Sequence, residues 1–407
     1  MNRELVAPWP AFTQEEADAV ADVLLSNKVN YWTGTKSRDF EQAFAAFCDC
    51  SHAIAVGNGT LALDLALYGL GIGDRNGGSC DDEVIVTPRG FMASVSAIVN
   101  AGACPVFADV DRDSQNITPI TVGPVVTSRT RAILCVHLAG WPCDMDGFRD
   151  LIGTTDIKLI EDCAQAHGAR HKGRPVGGLG DIAAWSFCQD KIMTTGGEGG
   201  MVTCNDAALW RRMWSFKDHG RDWEATFNRQ HPPGFRWQLD SFGTNWRLTE
   251  MQSAIGLIQL SRMARWHRER QENAAALTDA LTPYSGINGL VRLPQIDPSE
   301  GSQHAYYKFY AFLRLDRLAP NWSLDRFIAA INDRGIPCFH GACPEIYREK
   351  AFDSTDFRPQ DRLANAQELG ETNFMMMVHP TLTQQDMANC ADVLRDICAL
   401  ASGQRTV

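Results

Sequence analysis

Residues 182–204 of the 407-residue chain read IAAWSFCQDKIMTTGGEGGMVTC. Two apolar runs, Ile182 to Phe187 and Met201 to Cys204, flank a segment that carries Lys191 and the glycine-rich stretch Gly196 to Gly200. Short apolar runs bounded in this way predict buried strands. A single lysine is most often a solvated surface charge. A lysine enclosed between buried strands can instead lose its proton and react with a carbonyl group as a free amine.

Similar short runs alternate with helical stretches through the first two thirds of the chain. Strands are predicted at Val84 to Thr87, Pro105 to Ala108, Ala132 to Leu138 and Lys158 to Glu161. This alternation is typical of an α/β fold with a largely parallel sheet and helices on both faces. Ligands of such sheets bind beyond the carboxyl ends of the strands, so the residues that follow each run are candidates for function.

The helical patterns indicate two domains. Phe40, Phe44 and Phe47 recur at helical spacing and predict a core-facing helix, and a long helix is predicted over about Thr249 to Leu277. We expect a large domain over residues 1–262 and a smaller α+β domain over residues 263–407. The smaller domain contains a predicted strand at Tyr307 to Leu315 and a predicted helix at Leu324 to Arg334.

Composition excludes several classes of protein. With 44% apolar and 21% charged residues the chain is neither disordered nor fibrous. Its 38 basic and 49 acidic residues give a net charge of −11, which argues against nucleic acid and anionic lipid as partners. The N-terminus lacks an apolar signal segment, so we expect a cytoplasmic protein without a membrane span. Thirteen cysteines without a Cys-x-x-Cys pair are expected to be reduced, and no metal site is expected.

A second motif, Gly57-Asn58-Gly59-Thr60, directly precedes the helical run Leu61 to Leu70. Small residues at a helix start let the backbone approach an anion, and the free N–H groups of the first turn can hold a phosphate. The alternative is an ordinary helix cap, since Gly, Asn and Thr are frequent at such positions.

A third motif, Ile160 to Gly168, places Asp162 just after a predicted buried strand. A buried carboxylate needs a cation, which could be a ligand, a surface salt bridge or a helix end. Together the three motifs offer a phosphate site, a carboxylate for a cationic ring nitrogen, and an amine for an aldehyde. Pyridoxal 5′-phosphate (PLP) has all three of these groups.

With these motifs the chain resembles the DegT/StrS family of sugar aminotransferases, over nearly its whole length. The resemblance implies the PLP-dependent transferase type I fold, with a mostly parallel seven-stranded sheet in the large domain and a smaller α+β C-terminal domain. The matching residues are Phe40-Glu41 with Phe44-Ala45, Gly57 to Leu63, Glu161 to Gly168, Ser186-Phe187 with Lys191, Gly196 to Val202, Gly243 to Gln252, and more loosely Gly335-Ile336, His340 and Val378 to Pro380.

The resemblance also implies a role for each matching residue. Lys191 would form the Schiff base with the cofactor and then move a proton between cofactor and sugar, and Asp162 would keep the ring nitrogen protonated. The implied cofactor contacts are Gly59, Thr60 and Ser186 at the phosphate, Phe91 and Gln165 beside the ring, and Asn245 from the neighbouring subunit of a homodimer. The implied substrate contacts are His167 and His340.

Three features depart from the family pattern. Arg89 and Gly90 stand where relatives usually have a threonine ahead of the aromatic residue that stacks on the ring. Residues Asp74 to Asp81 form an insertion, which we expect to be a surface loop. Asp190 replaces a small or polar residue before Lys191, where its charge could raise the pKa of the lysine, or its side chain could point away.

The presence of Lys191 favours transamination, because relatives that act as dehydratases have histidine at this position. The expected cycle takes an amino group from glutamate and delivers it to a keto sugar in a ping-pong exchange. Arginines can bind a carboxylate bidentately, although each one is more often an ordinary surface residue. The candidates are Arg221, Arg229, Arg236 and Arg247.

The substrate is predicted from weaker similarity. Residues 141–146, Cys188 to Lys191 and the loop His231 to Trp237 resemble the branch that aminates an 8-oxo-3-deoxy-octulosonate, which is the favoured substrate. The alternatives are a nucleotide-linked keto-hexose, and a non-catalytic PLP-binding regulator that an intact Lys191 and Asp162 disfavour. A dinucleotide-dependent oxidoreductase fits less well, because the glycines after residue 56 do not form G-x-G-x-x-G.

Overall fold

The computed structural model describes residues 7–230 and 237–403. The strands are β1 (His52–Val56), β2 (Glu83–Val86), β3 (Cys104–Phe107), β4 (Thr130–Val136), β5 (Lys158–Asp162), β6 (Arg170–His171), β7 (Arg174–Pro175), β8 (Ile182–Ser186), β9 (Gly200–Cys204), β10 (Val291–Arg292), β11 (Phe309–Leu313), β12 (Cys338–Phe339) and β13 (Asn373–Met376). The helices are α1 (Gln14–Leu25), α2 (Lys36–Phe47), α3 (Gly59–Leu70), α4 (Ala93–Asn100), α5 (Pro119–Val122), α6 (Met145–Ile152), α7 (Ala207–Lys217), α8 (Trp223–Phe227), α9 (Glu250–Leu281), α10 (Leu324–Asn332), α11 (Ala364–Thr372) and α12 (Gln384–Ala401).

A seven-stranded sheet in the order β1-β9-β8-β5-β4-β2-β3 forms the centre of the large domain. Strands β8, β5, β4, β2 and β3 pair in parallel, whereas β9 is antiparallel to both β1 and β8. Because only β9 is reversed, the carboxyl ends of the other six strands lie along one edge. The prediction of a mostly parallel seven-stranded α/β fold is therefore confirmed.

Apolar side chains bury both faces of this sheet. Every residue of β2 and β8 is buried, as expected for strands covered by helices on both faces. Phe40 and Phe44 of α2 are fully buried and pack against Trp185 and Phe187, which places the predicted helical stripe in the core.

The long helix α9 joins this part of the chain to the smaller domain. Thr249 caps it by accepting a hydrogen bond from the Gln252 N–H at 3.3 Å. Met263 and Trp266 of α9 belong to the core of the large domain, whereas Ala274 and the residues after it pack with the four-stranded antiparallel sheet β10-β11-β13-β12. The boundary predicted at 262/263 thus falls within α9, and the helix changes packing partner after Trp266.

Two segments differ from the sequence prediction. Strand β1 was not predicted, because its sequence HAIAV is short and contains small residues. Helix α8 was not predicted either, and in it the Asp222 side chain accepts a hydrogen bond from the Ala225 N–H at 2.6 Å. The insertion at residues 74–81 is largely exposed, as expected.

None of the helices in the described part of the chain combines the length and the apolar character needed to cross a bilayer.

Candidate active site

A cleft of about 1360 Å³ opens at the carboxyl edge of the large sheet. One side is formed by the ends of β1, β2, β5 and β8, and the other side is formed by the small sheet β11-β13-β12. The sequence-predicted residues that line it are Gly59, Thr60, Phe91, Asp162, Gln165, Ser186 and Lys191.

The start of helix α3 packs tightly against the end of β8. A Cβ atom added to Gly59 would lie 2.5 Å from the Cβ of Ser186, so only glycine allows this contact. Asn58 caps the helix by accepting a hydrogen bond from the Leu61 N–H at 2.9 Å. The ordinary helix cap is thus present, and the first turn of α3 opens into the cleft beside Ser186.

Asp162 ends β5 and is buried, with 6% of its surface exposed. The Ser94 hydroxyl donates a hydrogen bond to Oδ2 at 2.7 Å, and the Ala164 N–H donates one to Oδ1 at 3.0 Å. Within residues 7–230 and 237–403, no basic side chain forms a salt bridge with this carboxylate. The two hydrogen bonds therefore orient this carboxylate without neutralising its charge.

Lys191 lies in the turn that follows β8, and its Nζ is 5.1 Å from the centroid of the Tyr307 ring. The indole N–H of Trp9 fixes the backbone by donating to the Lys191 carbonyl at 2.9 Å. The neighbouring Asp190 accepts a hydrogen bond from the Tyr307 hydroxyl. Burial, followed by the charge of Asp190, raises the pKa of Tyr307, so this hydroxyl keeps its proton. Asp190 is thus engaged by Tyr307 and does not form a salt bridge with Lys191.

The departures at Arg89 and Gly90 also have a structural explanation. Gly90 donates its N–H to the Cys343 carbonyl at 3.0 Å and so joins the large sheet edge to the smaller domain. Arg89 is fully buried and donates from Nε to the Gln115 side chain at 3.0 Å. Phe91, in contrast, is 71% exposed and lines the cleft.

Gln165 reaches the cleft from the turn after β5. Its Oε1 accepts a hydrogen bond from the Ala139 N–H at 2.7 Å. Ala139 has a φ of 57°, in the left-handed region that residues other than glycine seldom occupy. The bond fixes Gln165 beside Asp162 at the sheet edge.

His167, an expected substrate contact, does not line this cleft. It is fully buried, with its ring 5.1 Å from that of Trp185 and 5.7 Å from that of Phe187. Burial, with smaller contributions from the positive charges of Lys191 and Arg270, lowers the pKa of His167 to about 3. The ring is therefore neutral and lies in the core behind the sheet edge.

Arg247, His340 and Asn245 do not line the cleft of the same chain. Arg247 donates to Oδ1 of the buried Asp218 at 2.5 Å. His340 lies 3.2 Å from an Asp325 carboxylate oxygen on the surface. Asn245 is exposed in this single chain, and Arg236 lies outside the described residues.

Several residues of the cleft were not predicted from the sequence. Ser94 is in helix α4, and the others come from the smaller domain, which the motif analysis did not connect with the site. They are Ser94, Tyr307, Lys308, Tyr310, Met375 and Met377.

One buried cluster, His137, Glu161 and Cys163, has the spacing of a metal site. The side chains of His137 and Glu161 already have protein partners. His137 Nε2 lies 3.0 Å from Glu161, and His137 Nδ1 accepts a hydrogen bond from the Cys143 N–H at 2.9 Å. Glu161 also accepts N–H groups from residues 177, 179 and 180. The cluster supports the strand ends behind the cleft.

Comparison with known proteins assigns the family. Residues 10–395 match the DegT/DnrJ/EryC1/StrS aminotransferase family. The chain belongs to this family. Its members are PLP-dependent sugar aminotransferases, and the type I fold seen here is that of the solved relatives.

Individual relatives agree with this assignment. The aminotransferase from Psychrobacter cryohalolentis is 54% identical, with a TM-score of 0.94 over 97% of this chain and 99% of that chain. The dTDP-3-amino-3,4,6-trideoxy-alpha-D-glucose transaminase of Streptomyces venezuelae is 37% identical over 72% of this chain and 73% of its own length. The GDP-perosamine synthase of Escherichia coli O157:H7 is 40% identical over 62% of this chain and 64% of its own length.

Proposed function

We propose that this family member binds PLP and transfers the amino group of glutamate to a keto sugar in a ping-pong reaction. The observation that carries the proposal is that one cleft holds both Lys191, an amine without a salt bridge in the described chain, and Asp162, a buried carboxylate without a cation. These are the groups needed for an aldehyde and a pyridinium nitrogen.

The cleft fits the cofactor at its other contacts. The close approach of Gly59 to Ser186 leaves the first turn of α3 and a hydroxyl beside one another, as a phosphate requires. Phe91 and Gln165 line the same cleft and would flank the ring. We propose Gly59, Thr60 and Ser186 as the phosphate contacts.

The reaction assigns a task to each polar group of the chain. When bound, PLP supplies an electron-accepting ring that stabilises the carbon from which a proton is removed. Asp162, oriented by Ser94 and the Ala164 N–H, would hold the proton on the ring nitrogen. The Lys191 amine would take the proton from the donor carbon and return it at the adjacent cofactor carbon. In the second half-reaction Lys191 would move the proton in the opposite direction, from the cofactor carbon to the sugar carbon.

A homodimer with shared sites is part of the proposal. Asn245 is exposed in the single chain and lies in a segment with Trp237, Leu239 and Phe242, which are 83%, 58% and 98% exposed. Apolar residues so exposed are typical of a surface covered by another chain. We propose that a second copy covers this segment and that its Asn245 reaches the phosphate.

The relatives favour a nucleotide-linked sugar as the acceptor. The names of the Streptomyces and Escherichia relatives describe dTDP- and GDP-linked sugars. We therefore place nucleotide-linked keto-hexoses first and the 8-oxo-3-deoxy-octulosonate second. Part of the similarity to the octulosonate branch lies at residues 231–236, outside the described structure.

The test uses purified enzyme loaded with PLP. We expect an absorbance band near ~420 nm, which reflects the cofactor's own chemistry, and its loss when L-glutamate is added. A panel of nucleotide-linked keto-hexoses and 8-oxo-3-deoxy-octulosonate then identifies the acceptor as the compound that restores the band. A protein that forms the band but never responds to an amino donor would be a PLP-binding regulator.

A further inference from the structure

A second lysine, Lys308, lies in the cleft at a position that the proposed chemistry does not use. It directly precedes β11 and is 93% buried, with 7% of its surface exposed. The partner of its ammonium group is the Met377 Sδ atom at 3.3 Å. A thioether sulfur is a weak acceptor, so the three N–H donors of this ammonium are poorly satisfied by the protein.

The charges around Lys308 do not neutralise it. Within residues 7–230 and 237–403 no carboxylate forms a salt bridge with Lys308, and the nearby Asp190 accepts a hydrogen bond from Tyr307. Burial lowers the pKa of Lys308 to about 8, Asp190 opposes this effect, and the positive charges of Arg270 and Lys191 add to it. A buried cation without a partner is costly, and an anionic ligand would remove that cost.

The position of Lys308 indicates which ligand it meets. Lys308 comes from the small sheet, whereas the proposed phosphate contacts come from the large sheet. Its Nζ lies 4.6 Å from the centroid of the Tyr307 ring, the same ring that Lys191 approaches at 5.1 Å. Both amines approach the same ring, so one molecule that reaches Lys191 can also place an anion at Lys308.

The surrounding wall favours a small, singly charged anion. Tyr310, Met375 and Met377 line the cleft beside Lys308 and are mostly apolar. A single ammonium in such a wall complements one carboxylate better than a diphosphate, which carries more charge and usually needs several cations or N–H donors. We infer that Lys308 binds a carboxylate of the reacting substrate, supplied either by the amino donor or by a sugar acid. This inference rests on the proposed function.

The test compares charged ligands with their neutral amides in the two half-reactions of the holoenzyme. The variants are Lys308→Gln, the charge-retaining Lys308→Arg, and Lys28→Gln as a control, since Lys28 is exposed and outside the cleft. The donor arm uses L-glutamate, L-glutamine and L-isoglutamine. The acceptor arm uses 8-oxo-3-deoxy-octulosonate and its carboxamide. Each arm is followed as a single turnover of the cofactor absorbance, which separates ligand affinity from the rate of the step.

We expect Lys308→Gln to weaken the apparent affinity for one carboxylate ligand at least tenfold. Its affinity for the matching amide should stay within twofold of the wild-type value. Lys308→Arg should retain part of the affinity for the carboxylate ligand. Loss confined to the donor arm identifies the amino donor's carboxylate, and loss confined to the acceptor arm identifies a sugar acid. Equal effects on acid and amide, or no effect in either arm, would overturn the inference. So would a variant that loses affinity for dTDP while keeping its affinity for the carboxylates.

Two controls keep this result separate from the proposed function. Lys308→Met, a second neutral variant of similar length, replaces Lys308→Gln if the latter does not fold, as judged by circular dichroism. A wild-type protein that never forms the cofactor band would overturn the proposed function and this inference together. A wild-type protein that forms the band and reacts, with an unaffected Lys308→Gln variant, would overturn the inference alone.

Discussion

The hydroxyl of Tyr307 donates a hydrogen bond to the carboxylate of Asp190, the residue directly before Lys191. This bond joins the segment that leads into the small sheet to the turn that presents the amine. It also orients the Asp190 side chain toward Tyr307. The placement of Lys191 therefore depends on how the smaller domain packs.

A double-mutant cycle measures this connection. Tyr307→Phe and Asp190→Asn should each lower the free energy of unfolding. The double variant should lose less than the sum of the two single losses, and the difference is the coupling energy, expected to be about 1 kcal/mol. The free energy of unfolding in urea is measured for the wild type, the two single variants and the double variant. The rate of the glutamate half-reaction is measured for the same four proteins. Strictly additive effects would show that the bond does not link the two segments. Tyr284→Phe, in the smaller domain outside the cleft, is the control.

Gly59→Ala should weaken PLP binding at least tenfold and leave the fold intact, because the new methyl group would meet Ser186 at 2.5 Å. Gly57→Ala is a matched control in the same turn, since its nearest contact is Leu61 at 3.4 Å. The dissociation constant for PLP, titrated by absorbance, is the measurement. Equal affinities in the two variants would refute the close packing, and Ser186→Gly added to Gly59→Ala should restore part of the binding.

Ser94→Ala should slow amino transfer about tenfold, since one hydrogen bond to a charged group is worth about 1.5–3 kcal/mol and part of it orients Asp162. Ser94→Thr keeps the hydroxyl and should retain most of the rate. Ser96→Ala, two residues further along the same helix, is the control. The measurement is the rate of each half-reaction. A fully active Ser94→Ala variant would show that Ser94 does not contribute to amino transfer.

Shared sites can be tested by mixing two inactive variants. Lys191→Ala and Asn245→Ala should each have little activity as homodimers. A heterodimer would contain one site with both residues intact, so an equimolar mixture that exchanges subunits should recover up to about a quarter of the wild-type rate. A mixture that shows exchange by mass but no recovered activity would contradict a contribution of Asn245 from the partner.

The buried His167 and His379 and the half-buried His304 predict that stability falls in acid. Burial lowers the pKa of His304 to about 3 from its ordinary 6.5, with a smaller effect of His267, and His167 and His379 are lowered to a similar value. The unfolded chain then binds more protons than the folded protein between pH 6.5 and 3. Each such group removes about 1.4 kcal/mol of stability per pH unit below 6.5.

This pH dependence is measured by urea unfolding between pH 7.5 and 4.5. His304→Asn should reduce the slope of stability against pH, whereas His219→Asn, at an exposed position, should not. An unchanged slope in His304→Asn would show that this ring does not titrate as its burial requires.

The sequence predicts the residues at the ends of the large-sheet strands well. Asp162 comes directly after the predicted strand Lys158 to Glu161, and Ser186 lies near the end of the run Ile182 to Phe187. The carboxyl ends of parallel strands meet at one edge, so the proximity of these two residues follows from chain direction. Gly59 and Thr60 were found from the small residues at a predicted helix start, because the strand before them was not predicted. Local patterns suffice wherever one strand and its following turn supply the residue.

The small-domain wall of the cleft could not be found in this way. Tyr307 and Lys308 sit at the start of a segment that alternates like an ordinary strand, and nothing local indicates that this strand faces the amine. His167 belongs to a motif that matches the family, but its ring packs against Trp185 and Phe187 and does not line the cleft. Which side of a packed layer a residue faces depends on contacts between distant segments.

The most direct test of the central claim is the site at which borohydride fixes PLP to the protein. Reduction of the holoenzyme followed by peptide mass spectrometry should place the label on Lys191 and should leave Lys308 unmodified. Lys191→Ala should remain folded, take up no label and show no turnover. A label on Lys308 or on any other lysine, or a Lys191→Ala variant that retains the full rate, would contradict the account.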